Sequence, residues 1–106
     1  KMNDSEFNQL IEDTLIQLED ILEEHDVDYE NQAGILTISC SNGTKIIANK
    51  HSGMKQLWLA TKKNGHHCEW NGEMWADTKN GSNFCDMLQA ALKEQAGLDI
   101  KITIEI

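Results

Sequence analysis

Residues 27–77 carry six short β-type runs with almost no chain between them: 27–32, 35–40, 44–49, 56–62, 66–70 and 74–77. Ser41-Asn42-Gly43, Lys63-Asn64-Gly65 and Asn71-Gly72 punctuate them, and Asn-Gly is a strong tight-turn signal. A parallel neighbour needs a crossover of about a dozen residues or more, and no such stretch is present. The middle of the chain is therefore predicted to be a meandering antiparallel sheet.

Helical periodicity flanks this region on both sides. Over residues 3–24, Phe7, Leu10, Ile11, Leu15, Leu18, Ile21 and Leu22 recur at helical spacing and share an arc of about 140°. Asn3 is placed to cap this helix, with Glu6 as its capping-box partner. Ile16 breaks the pattern by falling among acids. Over residues 82–96, Phe84, Met87, Leu88, Ala91 and Leu92 form a second stripe that Gly97 terminates. Ile100, Ile102, Ile104 and Ile106 then alternate with polar residues, which predicts a final half-buried strand. Two amphipathic helices and one sheet are most economically combined as an α+β two-layer sandwich, both helices on one face and the other face open.

The length, 106 residues, suits one domain spanning 1–106. Met2 is expected to be the natural start, with Lys1 an addition ahead of it. No apolar run reaches the ~18 residues of a membrane span, and no signal-peptide stretch is seen. Cys40, Cys68 and Cys85 are odd in number and widely spaced, without a C-x-x-C pair. A zinc knuckle, a redox motif and a disulfide framework are all disfavoured, and a cytoplasmic setting is expected. The net charge of −9, with all nine bases lysines, also argues against nucleic-acid binding.

That charge is unevenly spread. Residues 1–30 hold eleven acids, and from Met2 to Thr44 there is no lysine. Glu19 and Glu23, like Asp20 and Glu24, stand four residues apart on one helix face, where like charges cost roughly 0.2–0.5 kcal/mol per pair. They also crowd the C-terminal turns, where the helix dipole is already negative. Asp26, Asp28 and Glu30 are expected to continue the ridge along one side of an extended chain. Repeated violation of a local rule without compensating lysines points to function. Carboxylates are hard donors suited to Ca²⁺, Mg²⁺, Mn²⁺ and iron, and an exposed ridge predicts weak, partly hydrated binding with poor discrimination. A basic protein surface would be attracted equally. An EF-hand loop and a ferritin-type histidine pair are both missing.

Several segments together resemble the bacterial frataxin (CyaY) family. They are the opening Met2-Asn3-Asp4-Ser5-Glu6-Phe7, the hairpin Asn42-Gly43-Thr44-Lys45-Ile46-Ile47 with Asn49-Lys50, and the strand Gln56-Leu57-Trp58-Leu59-Ala60-Thr61. Gly65-His66-His67, Trp75, Phe84 and Leu88 continue in register, so the resemblance covers essentially the whole chain. Gly53 departs from the family's usual proline, Lys50 and Lys79 from its common arginines, and Cys68 from an aromatic. The resemblance implies a non-enzymatic iron-binding protein of iron–sulfur cluster assembly. It would bind Fe²⁺ and Fe³⁺ weakly, with other divalent cations such as Co²⁺ expected to substitute. Its metal residues would be Glu12, Asp13, Glu19, Asp20, Glu23, Glu24, Asp26, Asp28 and Glu30. It also implies docking on a cysteine desulfurase and its iron–sulfur scaffold protein, through Glu19, Asp20, Glu23, Gln56 and Trp58. A monomer is expected, with metal-driven self-association conceivable once cations screen the ridge. The alternative is an acidic docking module whose metal binding is incidental.

Other residues receive narrower readings. Leu57 and Leu59 alternate with Trp58, so Trp58 faces solvent if the leucines face the helices. Trp70 and Trp75 read as packing residues. His66 and His67 point to opposite faces, which disfavours a joint metal site; His25 could add a nitrogen ligand beyond the ridge; His51 has no identifiable partner. Cys85 sits near a helix start, where the dipole could lower its pKa.

Overall fold

A computed structural model describes residues 2–106. Helix α1 spans Asp4–Glu24, six strands follow as β1 (Tyr29–Gln32), β2 (Ile35–Ser39), β3 (Lys45–His51), β4 (Gln56–Ala60), β5 (Gly65–Trp70) and β6 (Trp75–Asp77), and helix α2 spans Phe84–Ala96. The strands form one antiparallel sheet in sequence order. Short turns enforce this. Between β1 and β2, Ala33 and Gly34 both take positive φ (54° and 85°), as a two-residue hairpin turn of right-handed twist requires. At Gly34 a Cβ would also come within 3.2 Å of Lys50 Cβ.

The predicted capping box on α1 is present, Glu6 N donating to Asn3 Oδ1 at 2.8 Å and Asn3 N to Glu6 Oε1 at 2.9 Å. Asn83 caps α2, and Gly97 closes it at φ 67°. Phe7, Leu10, Ile11, Leu15, Leu18 and Leu22 of α1 and Phe84, Leu88, Ala91 and Leu92 of α2 join one cluster with Leu36, Ile38, Ile46, Ala48, Leu57, Leu59 and Cys68 of the sheet. Strand alternation puts those sheet residues on one face, so both helices cover it and the other face stays open.

Polar contacts fix the orientation of the layers. Thr14, on the buried side of α1, donates to Leu10 O at 2.8 Å and accepts Trp75 Nε1 of β6 at 3.0 Å. From α2, buried Gln95 accepts Lys62 N at 2.8 Å, while its Nε2 donates to Thr44 Oγ1 at 3.0 Å.

The predicted seventh strand does not form. Residues 98–106 carry the expected alternation, with Ile100 and Ile102 each 4% exposed, but they pair with no strand. Gln17 of α1 takes the place of a neighbouring strand, accepting Glu105 N at 2.8 Å and donating to Glu105 O at 2.7 Å. Gln89 of α2 likewise accepts Ile102 N at 2.8 Å. The segment is held by side chains of both helices; Ile100 and Ile102 join the buried core and Ile104 packs against it, while Ile106 is left 57% exposed.

Two substitutions test these tethers. Thr14→Val strands the Trp75 indole N–H in the core and should cost about 1–3 kcal/mol in urea unfolding. Gln17→Ala should cost about 1 kcal/mol and speed amide exchange at Glu105, leaving exchange in the strands unchanged.

Candidate functional site

The ridge follows from how α1 seats itself. With its apolar stripe committed to the sheet, Glu12, Ile16, Asp20, Glu23 and Glu24 are left exposed on the far side, with Asp13 and Glu19 half-buried at the edge. Among the described residues the ion pairs are Lys55–Asp4 at 3.1 Å, Lys63–Glu94 at 2.7 Å and His66–Asp77 at 2.7 Å. None takes a carboxylate from the set Glu12, Asp13, Glu19, Asp20, Glu23, Glu24, Asp26, Asp28 and Glu30. Where ridge carboxylates do find partners, these are neutral donors. Gln9 Nε2 donates to Asp13 at 3.1 Å, Asn31 Nδ2 to Glu19 at 2.8 Å, and the Tyr29 hydroxyl to Glu23 at 2.8 Å. The bond to Glu23 pushes the Tyr29 hydroxyl pKa upward, and burial and the nearby charges of Glu23, Glu19 and Asp20 push it the same way.

β1 contributes to the ridge differently from the expectation. Asp26 has φ 55° and turns the chain out of α1, so it does not share an extended edge with Asp28 and Glu30. In register, Tyr29 lies opposite Ile38 and so faces α1, whereas Glu30 lies opposite Thr37 on the open face. The residues of β1 that reach back to α1 are thus Tyr29 and Asn31. Glu12, Asp13, Glu19, Asp20, Glu23 and Glu24 share one helix; Glu30 stands across the edge strand. Among the described residues no three His, Cys, Asp or Glu side chains converge as a ligand set. The donors present are hard oxygens on an open surface, which fits a hydrated cation held by one or two carboxylates at a time. Exposed His25 points Nδ1 at Ile21 O, 2.9 Å away, leaving Nε2 as its outward nitrogen.

The open sheet face holds a second feature. Trp58 is half-buried there, stacked between His51 and His67 with ring centroids 4.1 Å away on each side and interplanar angles of 14° and 12°. His51, read from sequence as lacking a partner, ends β3 and covers the indole. Trp58 Nε1 donates to Gln56 Oε1 at 2.7 Å, and Gln56 Nε2 to Glu69 at 2.9 Å. Gln56 is only 3% exposed, so its contribution to this face is to hold the indole. Trp75 is buried and Trp70 partly so, packed at 5.6 Å between centroids.

The sequence reading missed His66–Asp77. Asp77 accepts Lys79 N at 2.8 Å and the His66 ring at 2.7 Å; since its carboxylate can only accept, His66 carries its proton on Nδ1. The Lys79 N–H, with His66 behind it, holds the Asp77 carboxyl below its ordinary range despite burial. Counting outward from the Asn71-Gly72 turn pairs Cys68 with Asp77 and brings His66 alongside, so the signal was in the hairpin register. The cysteines correct another expectation. Burial pushes the Cys85 thiol up despite its place in the first turn of α2, and pushes Cys68 up to about 12. Neither is an activated nucleophile.

The molecule is thus a two-layer α+β sandwich with an open acidic helix on one side and an aromatic stack on the bare sheet face. The frataxin-like domain pattern matches residues 1–98. A protein named iron-sulfur cluster assembly protein CyaY from Pseudoalteromonas atlantica is 45% identical over 101 residues, covering 93% of this chain and 94% of that one. The protein of the same name from Colwellia psychrerythraea is 36% identical over 106 residues, covering 98% and 100%. The chain belongs to the frataxin-like family, on its bacterial CyaY branch. Among solved structures, a frataxin from Psychromonas ingrahamii superposes with a TM-score of 0.89 at 39% identity, covering 96% of this chain and 99% of that one. A trimeric frataxin from the yeast Saccharomyces cerevisiae, complexed with ferrous iron, superposes at 0.67 with 20% identity, covering 92% and 89%, a likeness of fold alone. No helix among the described residues is long and apolar enough to cross a membrane.

The lowered Asp77 carboxyl carries a pH prediction. A carboxyl whose folded pKa lies below its unfolded value stabilises the fold above the unfolded value, about pH 4, and loses that contribution as pH falls through the folded one. Asp77→Asn should lower stability by about 1.5–3 kcal/mol at pH 7 and narrow the gap to the parent protein below pH 4, as read by urea unfolding from pH 2 to 7.

Proposed function

We propose that this protein binds iron and modulates iron–sulfur cluster assembly. It takes Fe²⁺ and Fe³⁺ weakly on the α1 ridge and docks on a cysteine desulfurase and its scaffold partner. The observation that carries this reading is the set of ridge carboxylates left without any lysine partner among the described residues. Membership in a family whose bacterial relatives are named for cluster assembly supports the pathway. Cations would be held by charge density and oxygen chemistry, with no enclosed cage, so binding is weak and Co²⁺ substitutes for Fe²⁺. Glu12, Asp13, Glu19, Asp20, Glu23 and Glu24 form the main strip, with Asp26 and Asp28 following it in the chain and Glu30 across the edge strand as an outlying carboxylate. The same strip, with Trp58 on the sheet face, meets the desulfurase; the protein acts by binding and not as an enzyme.

The second reading, a docking module with incidental metal binding, is favoured by the lack of a converged ligand set among the described residues. One titration separates the two. Added Fe²⁺ or Co²⁺ should broaden or shift amide signals within residues 12–30; shifts elsewhere sink the metal assignment. Desulfurase binding that ignores a chelator and falls with salt favours docking alone. Reversing Glu19, Asp20, Glu23 and Glu24 to lysine should weaken both metal and desulfurase binding at least tenfold while raising the melting temperature slightly, because repulsion along α1 is relieved.

A further inference from the structure

Ile16 is the one large apolar side chain on the exposed side of α1, and it is 48% exposed. At about 100° per residue it lies directly opposite the centre of the buried stripe formed by Phe7, Leu10, Ile11, Leu18 and Leu22. Its neighbours one helical turn away are Glu12 and Asp13 on one side and Glu19 and Asp20 on the other. An isoleucine is therefore ringed by four carboxylates, at the middle of a surface that otherwise reads as purely ionic. A single exposed hydrophobe is ordinary; one enclosed by unpaired charge is not accounted for by packing, by helix propensity or by cation binding. β-Branched residues are weaker helix formers than alanine, leucine or glutamate. Methyl groups give a cation no ligand.

The arrangement has the anatomy of an interface hot spot, an apolar centre with a polar rim that sheds water on contact. We infer that Ile16 is the apolar anchor of the ridge's docking surface, and that its partner is a basic protein surface whose lysine or arginine side chains surround an apolar socket. Charge complementarity selects that partner, because Glu12, Asp13, Glu19 and Asp20 have no cationic neighbour among the described residues. The inference rests on the reading of the ridge as the site that meets the desulfurase. It adds a division of labour. The carboxylates steer the encounter and set its salt dependence, while Ile16 holds the docked complex together after the charges have met.

The test is binding kinetics to a bacterial cysteine desulfurase at low and moderate salt, with Ile16→Ala, Ile16→Leu and Glu19→Lys/Asp20→Lys proteins, each also titrated with Co²⁺. Ile16→Ala should dissociate about tenfold faster with an unchanged association rate, unchanged salt slope and unchanged Co²⁺ binding. Ile16→Leu should restore most of the lifetime. The charge variant should instead associate more slowly, with a shallower salt dependence. Ile16 is exposed, so the alanine protein should melt no lower than the parent, which separates a binding loss from misfolding. Ile16→Ala binding within twofold of the parent, while the charge variant fails, overturns the anchor and leaves docking through the ridge standing. No binding by the parent protein overturns the docking reading and the anchor with it.

Discussion

The structure depends on one contact, the apolar stripe of α1 against the sheet. A fully buried leucine or phenylalanine is worth about 1.5–3 kcal/mol, whereas each like-charge pair one turn apart costs only roughly 0.2–0.5 kcal/mol. Phe7, Ile11, Leu18 and Leu22 are each at most 2% exposed, so the stripe outweighs the repulsion on the opposite side by a wide margin. The helix can therefore keep a face that disfavours its own formation. That face stays charged because its nearest partners, Tyr29, Asn31 and Gln9, are neutral. They orient carboxylates without neutralising them.

Neutral groups do most of the joining elsewhere as well. Thr14 links α1 to Trp75, Gln95 links α2 to the sheet, and Gln17 and Gln89 hold the C-terminal segment. A hydrogen bond of this kind contributes about 1 kcal/mol and carries no charge that salt could screen. The chain thus separates its electrostatics from its architecture. The ridge carboxylates therefore carry none of the ion pairs found among the described residues.

Most of the fold could be read from residue spacing because spacing is what local physics acts on. Period-2 and period-3.6 runs, the Asn-Gly turns, the Asn3–Glu6 capping box and Gly97 each express one local rule, and each element forms within a few residues of its predicted place. The final strand failed for a tertiary reason. Alternation states that one side of a segment is buried, but not whether strands or helices bury it. The extended edge expected to join Asp26 to Asp28 and Glu30 failed on backbone geometry, since a carboxylate pattern carries no record of a positive φ. The Trp58 stack and the His66–Asp77 pair needed cross-strand register, which the sequence encodes only through its turns. The ridge itself was legible because it is a property of one helix.

The C-terminal segment has a kinetic consequence. Its bonds to Gln17 join residues 88 positions apart in sequence, among the most distant contacts in the chain. The groove that receives it exists only once both helices are packed, so its closure belongs to the native side of the folding barrier. Releasing this segment would uncover the apolar surface now covered by Ile100 and Ile102 without breaking a hydrogen bond of the sheet, because the segment belongs to no strand.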